Sequence, residues 1–147
     1  MKWGMIMKIL AVDLGDVRTG LALCDSSETI ASPLGCIVQK NMFKISSEVA
    51  RIANEKEAEI VVVGLPKNMD GSEGPRAKKC IKFSVVLSRD VGDSIEVVLW
   101  DERITTVQAY KNLYDSNVHG KKTRSLIDSE AARLILENYL AFRKNTK

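Results

Sequence analysis

Histidine occurs once in the 147 residues, as His119, and cysteine three times, as Cys24, Cys36 and Cys80. The three thiols are odd in number, far apart and form no C-x-x-C pair. That excludes the usual zinc framework and argues against a disulfide-stapled secreted domain, so reduced cytosolic thiols are expected. A Ser-His-Asp or Cys-His device could draw only on His119, which sits beside Gly120 in a polar stretch and reads as a solvated residue. Aromatic residues make up 5%, so the core must come from Val, Ile, Leu and Ala. Apolar runs reach only about six residues against the ~20 needed to span a bilayer. Residues 1–7 are too short for a secretory signal and are expected to be a flexible arm on a cytoplasmic protein. The phosphate-cradling patterns G-x-x-x-x-G-K-[ST] and G-x-G-x-x-G are both missing, and Gly71-Ser72-Glu73-Gly74 matches neither.

What is present suits a folded domain. Hydrophobic residues are 45% and charged residues 28%, as in globular chains, and the length fits one domain of roughly 150 residues, read here as 1–147. The net charge is 22 − 19 = +3. Residues 120–147 hold seven Lys/Arg against three acids, so this end carries +4 and the rest −1. Such an end can attract a polyanion or form a solvated helix face.

The hydrophobic pattern places strands at 8–13, 20–24 and 30–38, with Pro33 and Gly35 marking the third as an edge or a bulge. Connections this short allow only antiparallel pairing. Ile45, Val49, Ile52 and Ala53 then share one helical face. The β-branched run at 59–65 reads as a strand buried on both sides. Pro66 and a loop over 67–74 end it, and Pro75 opens a helix to about residue 90. A strand at 95–100 follows. Thr105-Thr106-Val107-Gln108 fits a capping box opening a helix to about residue 114. A polar loop at 116–122 precedes a last helix from Ser125-Leu126-Ile127-Asp128 to about residue 142. The order β-β-β-α-β-α-β-α-α predicts an α/β domain, a mixed five-stranded sheet with helices on both faces. The run at 60–65 should lie near the sheet centre, beside the first strand.

Three carboxylates occupy unusual places. Asp13 ends an apolar strand before Gly15 and Gly20; it can start a turn or serve a site. Glu102, in Asp101-Glu102-Arg103, follows the last strand and can equally be a surface ion-pair partner or a helix N-terminal acid. Asp128 shares a stripe with Ala131, Ala132, Ile135 and Tyr139. Ser125 and Asp128 fit a capping box, yet the stripe faces the core, where a lone carboxylate does not stay ionised. If the three converge, two charges about 5 Å apart repel by roughly 3 kcal/mol at an effective dielectric of 20. A divalent cation would neutralise them, and all-oxygen ligands suit Mg²⁺ or Mn²⁺. Two such ions about 4 Å apart could serve an in-line displacement at phosphorus.

The run Ala11-Val12-Asp13-Leu14-Gly15-Asp16-Val17-Arg18-Thr19-Gly20-Leu21-Ala22 resembles the opening motif of the YqgF/RuvX family. Gly64-Leu65-Pro66-Lys67-Asn68-Met69-Asp70-Gly71-Ser72-Glu73-Gly74-Pro75-Arg76-Ala77 and Asp101-Glu102-Arg103-Ile104-Thr105-Thr106 resemble its next two motifs. Asp128-Ser129-Glu130-Ala131-Ala132, with Ile135-Leu136 and Tyr139-Leu140, resembles the last. Two departures are Val17, where relatives usually carry Lys, and Lys67, where they commonly carry an apolar residue.

The resemblance implies an RNase H-like fold related to the RuvC Holliday-junction resolvases. It also implies a Mg²⁺-dependent nuclease acting on structured RNA, maturing the 5′ end of pre-16S rRNA in ribosome biogenesis. Asp13, Glu102 and Asp128 then take the catalytic, metal-binding positions. On that reading Arg18, Lys121, Lys122 and Arg124 would hold flanking phosphates, with plain solubility the alternative for the Lys/Arg stretch. The nearest alternative is a Holliday junction resolvase acting on branched DNA as a homodimer. An Asp-x-Gly motif also occurs in actin-like ATPases, but these clamp nucleotide between two such domains. A non-catalytic RNA-binding assembly factor is the third reading.

Overall fold

Alternating β-branched and small residues let one sheet bury both of its faces, and this decides where every helix can go. The computed structural model describes residues 8–24, 30–102 and 121–146, with the backbone alone for 121–128, 145 and 146. Five strands, β1 (Ile9–Asp13), β2 (Arg18–Cys24), β3 (Ala31–Val38), β4 (Ile60–Leu65) and β5 (Glu96–Asp101), form one sheet in the order β3-β2-β1-β4-β5. The first three strands pair antiparallel, while β4 is parallel to β1 and to β5. The mixed sheet and its right neighbour relations are thus as the element order predicted, with β1 at the centre.

Helices α1 (Met42–Glu55) and α2 (Pro75–Val91) cover one face. Leu10, Val12, Val61 and Val63 meet Ile45 and Phe83 there. Their neighbours in sequence, Ile9, Ala11, Ile60 and Val62, point the other way, onto the helix α3 (Lys121–Thr146) through Ile135 and Leu136. Each of these strand side chains is fully buried or nearly so. The two-face burial follows from the period of two in a strand against helices on both sides.

Two sequence expectations are corrected. Lys121 and Lys122 lie in α3, not in a loop, and Ser125 is inside the helix rather than at its cap. A capping-box pattern is a local preference, and the preceding lysines and arginine are themselves good helix formers. The second strand starts at Arg18 rather than Gly20, because Arg18 and Thr19 pair with Val38 and Ile37. The helix expected at 105–114, the loop at 116–120 with His119, and the arm at 1–7 lie outside the described residues. Among the described residues no helix is long and apolar enough to cross a membrane.

The edge-or-bulge reading of β3 is met on both counts. Leu21 faces Gly35 and Ala22 faces Pro33, so Leu34 is the extra residue, and Gly35 takes φ +107°. The bulge frees the Gly35 N–H, which donates to Ser129 Oγ at 3.1 Å. Ser129 Oγ in turn donates to the Leu21 carbonyl at 3.2 Å. One buried hydroxyl thereby pins α3 to both strands of the hairpin. Ser129→Ala should leave the half-buried Gly35 N–H without its acceptor and the buried Leu21 carbonyl without this donor, and cost about 1–3 kcal/mol of unfolding free energy. Urea titration measures it; an unchanged midpoint would show that the hydroxyl does not anchor the helix.

Candidate active site

Strands β1, β4 and β5 run parallel, so their C-terminal ends open on the same edge, where ligand sites of open α/β sheets form. Val12 is level with Val63, Gly64 with Trp100, and Leu65 with Asp101. Asp13 closes β1 one residue beyond Val12, and Glu102 follows directly on β5. With strands about 4.8 Å apart, their backbones lie roughly 10 Å from each other, on either side of β4. Both belong to the α3 face by alternation, two residues on from Ala11 and Trp100, which are buried there.

Gly64 fills the gap between them. A Cβ at Gly64 would lie 2.7 Å from Ile135 Cδ1 and 3.0 and 3.1 Å from Glu102 Cδ and Cγ. The strand is bare at this one point, so the Glu102 side chain and α3 can both close over it. A lone glycine in a β-branched run is a sequence sign of such close approach, but the sequence reading did not single it out.

Asp13 is aimed by a tight turn. A Cβ at Gly15 would lie 1.9 Å from the Arg18 carbonyl oxygen, so only glycine fits. The Gly15 N–H donates to Thr19 Oγ1 at 3.3 Å, and Thr19 is fully buried. Arg18 falls two residues before Gly20, which pairs with Asp13, and so it lies on the same face of the sheet.

The electrostatics agree that both carboxylates share a neighbourhood. Burial pushes the Glu102 carboxyl above its usual range; Arg76 opposes the shift and Asp101 adds to it. The Cys80 thiol, on α2, is pushed up to about 11, chiefly by burial. The negative charges of Glu102 and Asp13 both contribute to that shift, against Arg76 and Lys79. Cys80 is therefore an inert core thiol that registers both acids. Arg76 and Cys80 are site neighbours that sequence reasoning did not place there.

The other sequence candidates stand along α3. Asp128 is one residue before Ser129, whose hydroxyl bonds Leu21, and Leu21 is level with Val12 beside Asp13. It is also seven residues before Ile135, about 10 Å along the helix axis from the residue over Gly64. Lys121, Lys122 and Arg124 occupy the first two turns. The side chains of these four lie outside the described residues. Among the described residues no three acidic, cysteine or histidine side chains form a metal-sized cluster.

Comparison with known proteins fits this geometry. A family model described as "RuvX: Holliday junction resolvase" matches residues 7–142. A protein of Thermoanaerobacter pseudethanolicus described as "Putative pre-16S rRNA nuclease" is 41% identical over 140 residues, covering 95% of this chain and 99% of its own. A protein of Clostridioides difficile with the same description is 37% identical over 139 residues, covering 95% and 97%. Among solved structures, Thermus thermophilus RuvC bound to a Holliday junction superposes with a TM-score of 0.59 at 16% identity, covering 93% of this chain and 96% of that one. Fowlpox virus resolvase bound to Holliday junction DNA gives 0.56 at 14% identity, covering 93% and 99%. Those two likenesses establish the RuvC-like, RNase H-type fold, while the family match and the close relatives place the sequence: the chain belongs to the RuvX family and is a nuclease by class.

Proposed function

We propose that the chain is a Mg²⁺-dependent nuclease that trims the 5′ end of pre-16S rRNA, with Asp13, Glu102 and Asp128 as its catalytic, metal-binding carboxylates. The observation that carries the reading is the placement of Asp13 and Glu102 at the ends of β1 and β5, the two strands that flank β4 and its bare Gly64. The RNA substrate is supported by the descriptions of the relatives, which are identical at 34% or more over most of their length.

The residues present fit a hard divalent cation. Carboxylate oxygens are the donors Mg²⁺ and Mn²⁺ prefer. Glu102 is half-buried and forms no ion pair among the described residues, and Arg76 offsets only part of the burial cost of its ionised form, leaving compensation that a cation would provide. When bound, such an ion supplies charge neutralisation at phosphoryl oxygens and activation of water. The chain's own part is positional. The Gly15 turn orients Asp13, the β5 end holds Glu102 over Gly64, and α3 carries Asp128 toward the same edge. Arg18, Lys121, Lys122 and Arg124 hold flanking phosphates and fix the register of the substrate.

The family model's description favours a second reading, a Holliday junction resolvase cutting branched DNA as a homodimer. One assay separates the two. A transcript carrying the 5′ extension of small-subunit rRNA and a four-way DNA junction are incubated with protein in Mg²⁺ or in EDTA. Cleavage of the transcript in Mg²⁺ alone, lost in Asp13→Asn, is the expected result. Symmetric cutting of the junction with an intact transcript would replace the RNA reading, and activity surviving in Asp13→Asn would remove Asp13 from the chemistry.

Glu102 gives a prediction independent of substrate. A carboxyl whose folded-state pKa is raised stabilises the fold while protonated, and this contribution is lost as pH climbs from the ordinary carboxylate value through the raised one. Glu102→Gln keeps the neutral form at every pH. In EDTA at pH 7 the variant should melt above the parent, with the difference closing near pH 4. Mg²⁺ should raise the melting temperature of the parent more than that of the variant. A parent more stable than Glu102→Gln at pH 7 in EDTA contradicts the account.

The basic start of α3 is tested by salt. Each phosphate contact contributes about 0.7 to the slope of log affinity against log salt for single strands. Replacing Lys121, Lys122 and Arg124 by Ala should flatten the slope for a labelled RNA by roughly two; an unaltered slope assigns these side chains to solubility.

A further inference from the structure

Arg76 is a cation beside the strand-end carboxylates that the sequence reading left without a role. It occupies the second position of α2, after Gly74 and Pro75. Its Nη2 donates to the Leu14 carbonyl at 3.4 Å, across 62 residues of sequence and onto the turn that aims Asp13. It lies close enough to Glu102 to act on its charge, yet the two form no ion pair.

Among the described residues two other helix arginines are held by carboxylates, and Arg76 is not. Arg51 is clasped by Glu48 and Glu55, and Arg133 by Glu130 and Glu137. Arg76 spends one nitrogen on a long carbonyl contact, and its side chain is otherwise exposed. A guanidinium carries five N–H donors in a planar fork matched to phosphate oxygens. Nor is Arg76 needed to tie α2 to the turn. Lys79, one turn further along, pairs with Asp16 at 3.2 Å and makes the same link. The start of α2 adds to the attraction, because Gly74 offers no side-chain cap and the first-turn amides keep their positive end.

We propose that Arg76 is a substrate-binding residue: tethered to the Leu14 carbonyl at the rim of the Asp13–Glu102 site, its guanidinium grips non-bridging oxygens of the phosphodiester that is cut. The proposal rests on the nuclease reading above and adds to it a cationic wall on the α2 side, opposite α3. A fork held in this way orients phosphorus toward the carboxylate edge and compensates charge gathering on the phosphate oxygens during displacement.

The test compares the parent with Arg76→Ala and Arg76→Lys on whichever of the rRNA transcript and the four-way junction the parent cuts. Arg76→Ala should lower kcat/KM by at least about tenfold, on the scale of losing one donor to a reacting oxyanion, with its melting temperature unchanged. Arg76→Lys should recover only part, since an ammonium is a point charge without the fork. Added guanidinium ion at millimolar levels should restore part of the rate of Arg76→Ala, which a purely structural strap would not allow. In parallel, a fluorescein-labelled RNA stem–loop with a single-stranded 5′ leader is bound to Asp13→Asn with and without Arg76→Ala. Loss of Arg76 should reduce the salt slope by about 0.7. Parental kinetics together with an unchanged slope in Arg76→Ala overturn the proposal and leave the nuclease reading intact. A loss of rate that follows a fall in melting temperature, with no guanidinium rescue and no change in slope, reduces Arg76 to a strap. If the parent cuts neither substrate, the nuclease reading fails on its own terms, and the salt slope still decides whether Arg76 meets phosphate.

Discussion

The close seating of α3 on the sheet is the constraint on which the site depends. Ser129 takes the N–H freed by the β3 bulge and returns a proton to Leu21, Ala131 and Ala132 keep the helix surface low, and Ile135 lies where a Gly64 side chain would stand. A helix held this near lies directly over the bare strand at Gly64. Small residues on both surfaces permit that approach, and the buried hydroxyl fixes which turn of the helix meets which strand, since sliding α3 would strand two backbone groups without partners.

Seating the helix so closely creates an electrostatic problem as well as a scaffold. The strand-end carboxylates lose water, and for Glu102 burial outweighs the help of Arg76. On the proposed reading, the cost of ionising such a site is what a bound divalent ion would offset. The same field reaches Cys80, whose thiol stays protonated far above neutral pH. On the proposed reading, positive charge is useful beside such a site, and Arg76 and Lys79 at the start of α2 supply it.

The RuvX membership and the RuvC-like fold fit this physics. Solved resolvases share the backbone arrangement at 16% identity or less, so the fold persists through wide changes of side chain. In this chain the Gly15 turn, the bare Gly64 and the Ser129 anchor set the strand ends and seat the helix across them.

Much of this was legible in order along the chain. Periods of two and 3.6 distinguished strands from helices, the short early connections forced antiparallel pairing, and the β-branched run at 60–65 announced a strand covered on both faces. Asp13, Glu102 and Asp128 were marked as carboxylates in unusual places, Asp128 most sharply because a carboxylate on a core-facing stripe contradicts its surroundings. Other features were not legible, because they arise between segments remote in sequence. The start of α3 at Lys121 was hidden by a local capping pattern. The proximity of Arg76 to Glu102, the contact of Ile135 with Gly64 and the sharing of Ser129 between two strands exist only once the sheet has closed. By itself the sequence determined which side chains each element offers to each face, since that follows from backbone periodicity. Tertiary structure alone decided which of those faces meet and how closely, because helix seating is set by side-chain volumes and buried hydrogen bonds contributed from opposite ends of the chain.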